Sequence, residues 1–285
     1  MEARSISMLY DSHAHLNNED FSEEERAAFI ARIERAVESG LLSYVNDIGF
    51  DMVSSRLALS HALKYPWCYA VIGVHPHDVG KLCDDDLQEL ASMALSNPDR
   101  VKAIGEIGLD YHYDDGTDPM LQVFWFRKQI RLARELGLPI SIHSRDADGD
   151  TFDILKQEYI SDPKPCGAEG AKDKAPLRGV LLHCYSGSAE LAREYIKLGA
   201  MISIAGSVTY KNNKKTVRVV EEVPLERLLI ETDSPYLSPV PFRGQKNHPI
   251  NVRCTAEKIA EIKGISFEEV AETTRENALR FFGIR

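Results

Sequence analysis

Val101-Lys-Ala-Ile-Gly-Glu-Ile107 is an apolar run, followed by an amphipathic stretch from Pro119 to Leu136 and a second apolar run, Pro139-Ile-Ser-Ile142. A strand-sized run, a helix-sized run and another strand-sized run read as a βαβ unit with parallel strands joined by a right-handed crossover. The alternation continues in both directions. Upstream lie Ser7–Tyr10, Leu42–Ile48 and Cys68–Val74; downstream lie Gly179–Leu182, Ala200–Ile204 and Leu228–Ile230. Amphipathic stretches such as Ser22–Ser39, Asp84–Ser96, Ala147–Tyr159, Ala189–Lys197 and Asn213–Val223 separate them. Eight such runs close into an α/β fold of the (β/α)8 TIM type, whereas five or six would give an open, doubly wound sheet. The 285 residues suit a single domain of that kind, and no repeat, linker or low-complexity tract divides them.

Punctuation supports these divisions. Gly40, Gly137 and Gly199 each follow a helical pattern shortly before a strand, where a helix-ending residue belongs. Pro119 and Pro224 fall at element boundaries. Two further helices close the chain, Ile250–Lys263 and Ser266–Phe282, the second opening with the Ser266…Glu269 spacing of a capping box. Ser161–Arg178 has no periodicity and reads as a long surface loop at the bottom of the barrel.

Chemistry collects at the ends of the strands, where barrel enzymes carry their catalytic groups. Strand one ends in Asp11-Ser-His-Ala-His15, strand four in Gly105-Glu-Ile-Gly-Leu-Asp110 and strand five in Ile142-His-Ser-Arg145. Strand six ends in Leu182-His-Cys-Tyr-Ser-Gly187 and strand eight in Ile230-Glu-Thr-Asp-Ser-Pro235. His13 and His15 are two apart, so both imidazoles leave the same face of a strand and form a chelate for a divalent cation. Glu106, His143, His183 and Asp233 complete a set of four histidines and two carboxylates. That is more than one catalytic ion needs while keeping an open position, so the set implies two ions. Glu106 is the expected bridge: His13, His15, Glu106 and Asp233 hold one ion, and Glu106, His143 and His183 hold the other. Asp233 also serves as base or orienting group for the attacking water. The ligand types suit Mg, Mn or Zn.

Other residues near the mouth are read for substrate. His75, in Gly73-Val-His-Pro76, is a substrate contact or a hydrogen-bond donor behind the ligands. Arg145 stands two residues beyond His143. Lys211, Lys214 and Lys215 after strand seven, with Arg243, Lys246 and Asn247 after strand eight, form an expected anion-binding wall. His77, His112 and His248 fall in loops at the top face, as substrate contacts or solvated side chains. His61, inside a helical pattern, and Cys184, beside His183, are read as ordinary structural residues.

These motifs, in this order, resemble the TatD-type metal-dependent deoxyribonucleases within the wider amidohydrolase-like barrels. The likeness runs from Asp11 almost to Phe282 and includes Glu231-Thr-Asp-Ser-Pro-Tyr-Leu237 and Arg243-Gly-Gln-Lys-Asn-His-Pro249. It implies a divalent-cation-dependent hydrolase whose studied relatives cut DNA, some as exonucleases. By position it assigns the same six ligands, with Glu106 in the place of the carbamylated lysine of many amidohydrolases.

Composition bounds the function. The chain is 44% hydrophobic and 27% charged, and no apolar run reaches the roughly 18 residues of a membrane span. Met1–Asp11 lacks the pattern of a secretory signal. Its five cysteines are scattered with no C-x-x-C pair, which points to reduced thiols in a cytoplasm. A net charge of −10 disfavours electrostatic coating of nucleic acid and fits transient binding followed by chemistry. The leading expectation is therefore a 3′-exonuclease-type DNase with DNA as a transient partner. The alternatives are hydrolysis of amide, ester (including aminoacyl ester) or phosphotriester bonds, and a metal-binding interaction protein without turnover.

Overall fold

The computed structural model describes residues 9–113, 116–160 and 179–284. Part of the run Ser7–Tyr10, and the loop Ser161–Arg178, lie outside the described residues. Eight parallel strands form one sheet in chain order: β1 (Leu9–Ala14), β2 (Leu42–Ile48), β3 (Cys68–Ile72), β4 (Val101–Asp110), β5 (Ile140–Arg145), β6 (Val180–Leu182), β7 (Met201–Ile204) and β8 (Leu228–Ile230). Helices α1 (Glu23–Glu38), α2 (Met52–Lys64), α3 (Asp84–Ser96), α4 (Pro119–Leu136), α5 (Asp148–Ile160), α6 (Ala189–Lys197) and α7 (Lys214–Glu222) lie between successive strands. Two more, α8 (Val252–Lys263) and α9 (Phe267–Phe282), follow the last strand. This is the expected (β/α)8 barrel.

The core has two parts. Tyr10, Ile48, Val71, Ala103, Leu181 and Leu229, each from a different strand, meet Phe282 of α9 in one buried cluster. Side chains from so many strands can converge only inside the barrel, so its N-terminal half is a packed plug. The larger cluster lies between strands and helices. There α4 turns Phe126, Ile130 and Ala133, three and four residues apart, onto the sheet. Each fully buried side chain of this size contributes roughly 1.5–3 kcal/mol. The plug leaves the C-terminal half of the interior for polar chemistry.

Strand ends run further than the apolar runs suggest. β1 reaches Ala14, β4 reaches Asp110 and β5 reaches Arg145, because Gly108, Leu109 and Asp110 pair with His143, Ser144 and Arg145. The ladder therefore continues through the charged, ligand-type residues, holding them on rigid backbone. Gly108 is required there: its φ is +148°, and a Cβ would collide with the His143 carbonyl. Helix ends follow their signals more closely. Gly137 ends α4 with φ +64°, and at its start the Asp118 side chain accepts from the Met120 amide. At α9 the Ser266 hydroxyl accepts from the Glu269 amide, which is one half of the expected box; a complete Ser–Glu box is found instead at Ser22 and Glu25 on α1.

Candidate metal centre

The barrel is zipped shut where its chemistry lies. Asp11 Oδ1 accepts from the Thr232 amide at 2.9 Å and Oδ2 from the Thr232 hydroxyl at 2.5 Å. The Asp233 amide donates to the His13 carbonyl at 2.9 Å, and the His15 amide to the Ser234 carbonyl at 2.7 Å. Residues at the ends of the first and last strands are thereby fixed side by side.

Around that seam four donor atoms converge. His13 Nε2 lies 3.3 Å from His15 Nε2, 3.4 Å from Glu106 Oε2 and 3.7 Å from Asp233 Oδ1. His15 Nε2 lies 3.7 Å from the same Glu106 oxygen and 3.5 Å from Asp233 Oδ1. Donors spaced like this around a common centre would each stand about 2.0–2.3 Å from it in tetrahedral geometry, the distance range of His and carboxylate ligands to a divalent cation. The other oxygen of Glu106 faces away from this group. Oε1 is 2.9 Å from His143 Nδ1, 2.9 Å from His183 Nε2 and 3.7 Å from His75 Nε2. The structure thus brings these six side chains together, with His13 and His15 on one oxygen of Glu106 and His143 and His183 on the other. The donor set fits divalent metal: buried carboxylates and imidazole lone pairs share one small space, an arrangement that a cation between them satisfies.

A histidine ligates through one ring nitrogen only if the other carries the proton, so the far nitrogen decides. His15 Nδ1 is held by the Ile48 carbonyl at 3.0 Å, His143 Nε2 by Asp110 Oδ2 at 3.0 Å, and His183 Nδ1 by Glu231 Oε1 at 3.2 Å. With the ring neutral, each arrangement leaves a lone pair directed at Glu106 or Asp233. His75 is different. Its Nδ1 accepts from the His77 amide at 3.2 Å, so the neutral ring carries its proton on Nε2 and acts as a donor. His75 stands beside Glu106 and His143, close enough that the three could share a cation if its proton moved off Nε2.

Electrostatics follow from burial and pairing. Burial opposes ionisation of Glu106, but the His183 charge and bonds from His13, His143 and His183 hold its carboxyl well below the usual range. Burial likewise opposes ionisation of Asp233, and the His15 bond with the His13 and His183 charges overcomes it. Both carboxylates are ionised at neutral pH. Burial, with His183 beside it, pushes His13 below its ordinary value. His183 rises well above its own value despite burial, because Glu106 and Glu231 flank it.

Behind the ligands, a buried clamp positions the first loop. Asp47 Oδ1 accepts from the Leu16 amide at 2.8 Å and from the Asn17 side chain at 2.9 Å, while Oδ2 pairs with His61 of α2 at 2.7 Å. His61 is thus a satisfied core histidine that orients the backbone leaving His15. Asp110, Glu231 and Asp47 carry roles that the spacing of ligand-type residues did not single out. Alternation held a partial signal for one of them: Glu231 precedes Asp233 by two positions at a strand end, as His13 precedes His15.

Five of the six expected ligands, all but the fully buried His13, line an open cavity of about 560 Å³, lined also by Phe50, Tyr236, Arg145 and the Asn18-Glu19-Asp20 segment. Arg145 stands 5.2 Å from the Tyr113 ring, at the mouth. The expected anion-binding wall is rearranged. Arg243 lies over Tyr210 at 4.0 Å and donates to its hydroxyl, while Lys246 pairs with Glu25 of α1 at 3.1 Å; neither lines the cavity. Asn247 is fully buried and ties the loop together, donating to the carbonyls of Thr232 and Tyr236. Its expected contact with substrate is corrected to a structural one, because those carbonyls need donors away from water. His112 pairs with Asp146 at 2.7 Å on the surface, and His77 lies 3.3 Å from Asp110.

His248 is likewise buried, bonded to the Phe29 carbonyl at 3.0 Å, and burial drives its pKa down to about 4. The unfolded chain takes up that proton near 6.5, so falling pH favours unfolding. The contribution is fully present above that value and is lost progressively down to about 4, on the order of 3 kcal/mol in all. Denaturant midpoints measured from pH 7.5 to 4.5 should fall less steeply in His248→Gln than in the parent; parallel curves would refute the assignment.

A barrel whose strand ends gather four histidines and two carboxylates around shared donor positions defines a metal-dependent hydrolase class. The family model described as TatD related DNase matches residues 10–283, and the chain belongs to that family. The uncharacterized metal-dependent hydrolase YabD of Bacillus subtilis is 44% identical over 281 residues, spanning 97% of this chain and 100% of that protein. The uncharacterized metal-dependent hydrolase YcfH of Escherichia coli is 36% identical over 286 residues, spanning 97% and 96%. The crystal structure of YJJV, a TatD homolog from Escherichia coli, superposes with a TM-score of 0.82 at 28% identity, covering 98% of this chain and 99% of that one. The protein is a metal-dependent hydrolase of the TatD family.

Proposed function

We propose that this hydrolase is a deoxyribonuclease of the 3′-exonuclease type, working through two divalent cations that share Glu106. The observation that carries the reading is the division of Glu106, Oε2 toward His13 and His15 and Oε1 toward His143 and His183, on the floor of an open cavity. His13, His15, Glu106 and Asp233 would hold one cation and Glu106, His143 and His183 the other, drawn from Mg, Mn or Zn. When bound, such a pair supplies Lewis acidity to the phosphoryl oxygens and acidifies water. The chain does the rest. Asp233, ionised and at the cavity floor, accepts the proton of the attacking water. Arg145 binds a phosphate oxygen at the mouth, and His75 Nε2–H donates to another. Phe50 and Tyr236 give the sugar and base an aromatic wall. Four described cysteines are free, one of them exposed, which suits a reducing cytoplasm.

One observation favours the second reading, hydrolysis of small ester, amide or phosphotriester substrates. Among the described residues, Arg145 is the one Lys or Arg side chain lining the cavity, and Glu19 and Asp20 line the same cavity. End-labelled single- and double-stranded DNA, incubated with Mn or Mg, separates the two. Stepwise release of nucleotides from 3′ ends is the expected result. Intact DNA alongside turnover of neutral esters or phosphotriesters would transfer the assignment to the second reading.

A further inference from the structure

Three of the four ligand histidines have an acceptor on their far ring nitrogen, and His13 has none. Its Nδ1 is buried and unpartnered, as is one atom close by, Oε2 of the fully buried Glu231. The rings of His13 and His183 stack 3.8 Å apart, only 13° from parallel, with both Nε2 atoms directed at Glu106. Donor atoms of His13, His183 and Glu231 lie within 4.8 Å of one another. Glu231 Oε1 is fully used by the His183 ring and by the Cys184 amide at 2.7 Å. Two buried polar atoms without partners, on residues this near to each other, each call for a partner.

We propose that Glu231 is a positioning residue that sets the tautomer of two stacked ligands at once, His183 through Oε1 and His13 through Oε2, the latter directly or across one water. Each proton is thereby held on Nδ1, and both Nε2 lone pairs are presented to the metal side. A ligating His13 is neutral and so has a single proton to place. Placed on Nε2, that proton would cap the nitrogen that faces Glu106 and Asp233. The proposal rests on the metal-centre reading given above.

Glu231→Gln tests it with no change of size. The carbonyl of Gln must accept from the Cys184 amide, so its NH2 replaces Oε2 and offers His13 Nδ1 a donor. His13 then accepts on Nδ1 and carries its proton on Nε2. In metal-free protein labelled with 15N-histidine, above neutral pH, the parent should show His13 protonated on Nδ1 and the variant on Nε2. Calorimetric titration with Mn should show affinity weakened roughly 10–100-fold in the variant, the usual effect of losing a carboxylate behind a ligating histidine. A parent His13 protonated on Nε2 would overturn the proposal even if the variant failed to fold. So would an unchanged tautomer in a folded variant. Because the tautomer is read without metal, a failure of the metal-centre reading would appear separately, as a parent that binds no Mn.

Discussion

Glu106→Gln should fold, bind fewer divalent cations per chain than the parent, and hydrolyse substrate on the order of 10³-fold more slowly. The effect is large because one carboxylate serves two groups of histidines. Oε2 sits 3.4 Å from His13 and 3.7 Å from His15, while Oε1 sits 2.9 Å from both His143 and His183. An amide presents one oxygen in place of two and puts an NH2 where the second cation ligand belongs. A loss of 10³ corresponds to about 4 kcal/mol of barrier, within the several kcal/mol that a Lewis-acid cation supplies. Metal content by mass spectrometry and steady-state rates check it together. Full activity with unchanged metal content would remove Glu106 from the bridging position.

Asp233→Asn should lower kcat by about 10²–10⁴, the range for loss of a general base, with a smaller change in KM. The substitution is chosen for its backbone. Asp233 has φ +55°, a left-handed conformation that Asn tolerates and Ala does not, so the loop geometry survives. What is lost is charge: Asn cannot take up the proton of the attacking water. Asp233→Ala should add a stability loss of about 1–3 kcal/mol from backbone strain. A kcat in Asp233→Asn within a factor of a few of the parent would show that the proton goes elsewhere.

The barrel and its ligands were legible because both leave periodic marks. Buried parallel strands need continuous apolar runs, and eight are countable; His13, His15, His143, His183 and Asp233 stand just beyond four of them, and Glu106 near the end of a fifth. What escaped was of another kind. β1, β4 and β5 continue through polar residues because backbone pairing, which a hydrophobicity pattern does not record, carries on past the apolar run. Asn247 and His248 lie in a loop whose composition reads as surface, yet the loop folds inward and its carbonyls take their donors from Asn247. Lys246 and Arg243 are cationic and near the mouth in sequence, but Glu25 and Tyr210 claim them. Asp47, Asp110 and Glu231 act through partners 14 to 48 residues away, so spacing alone could not reveal them.

Anomalous diffraction from crystals of the Mn-loaded protein measures the central arrangement directly. Two peaks are predicted, about 3.5–4 Å apart, one on either side of the Glu106 carboxylate. A single peak, or a pair lying away from Glu106, would contradict it.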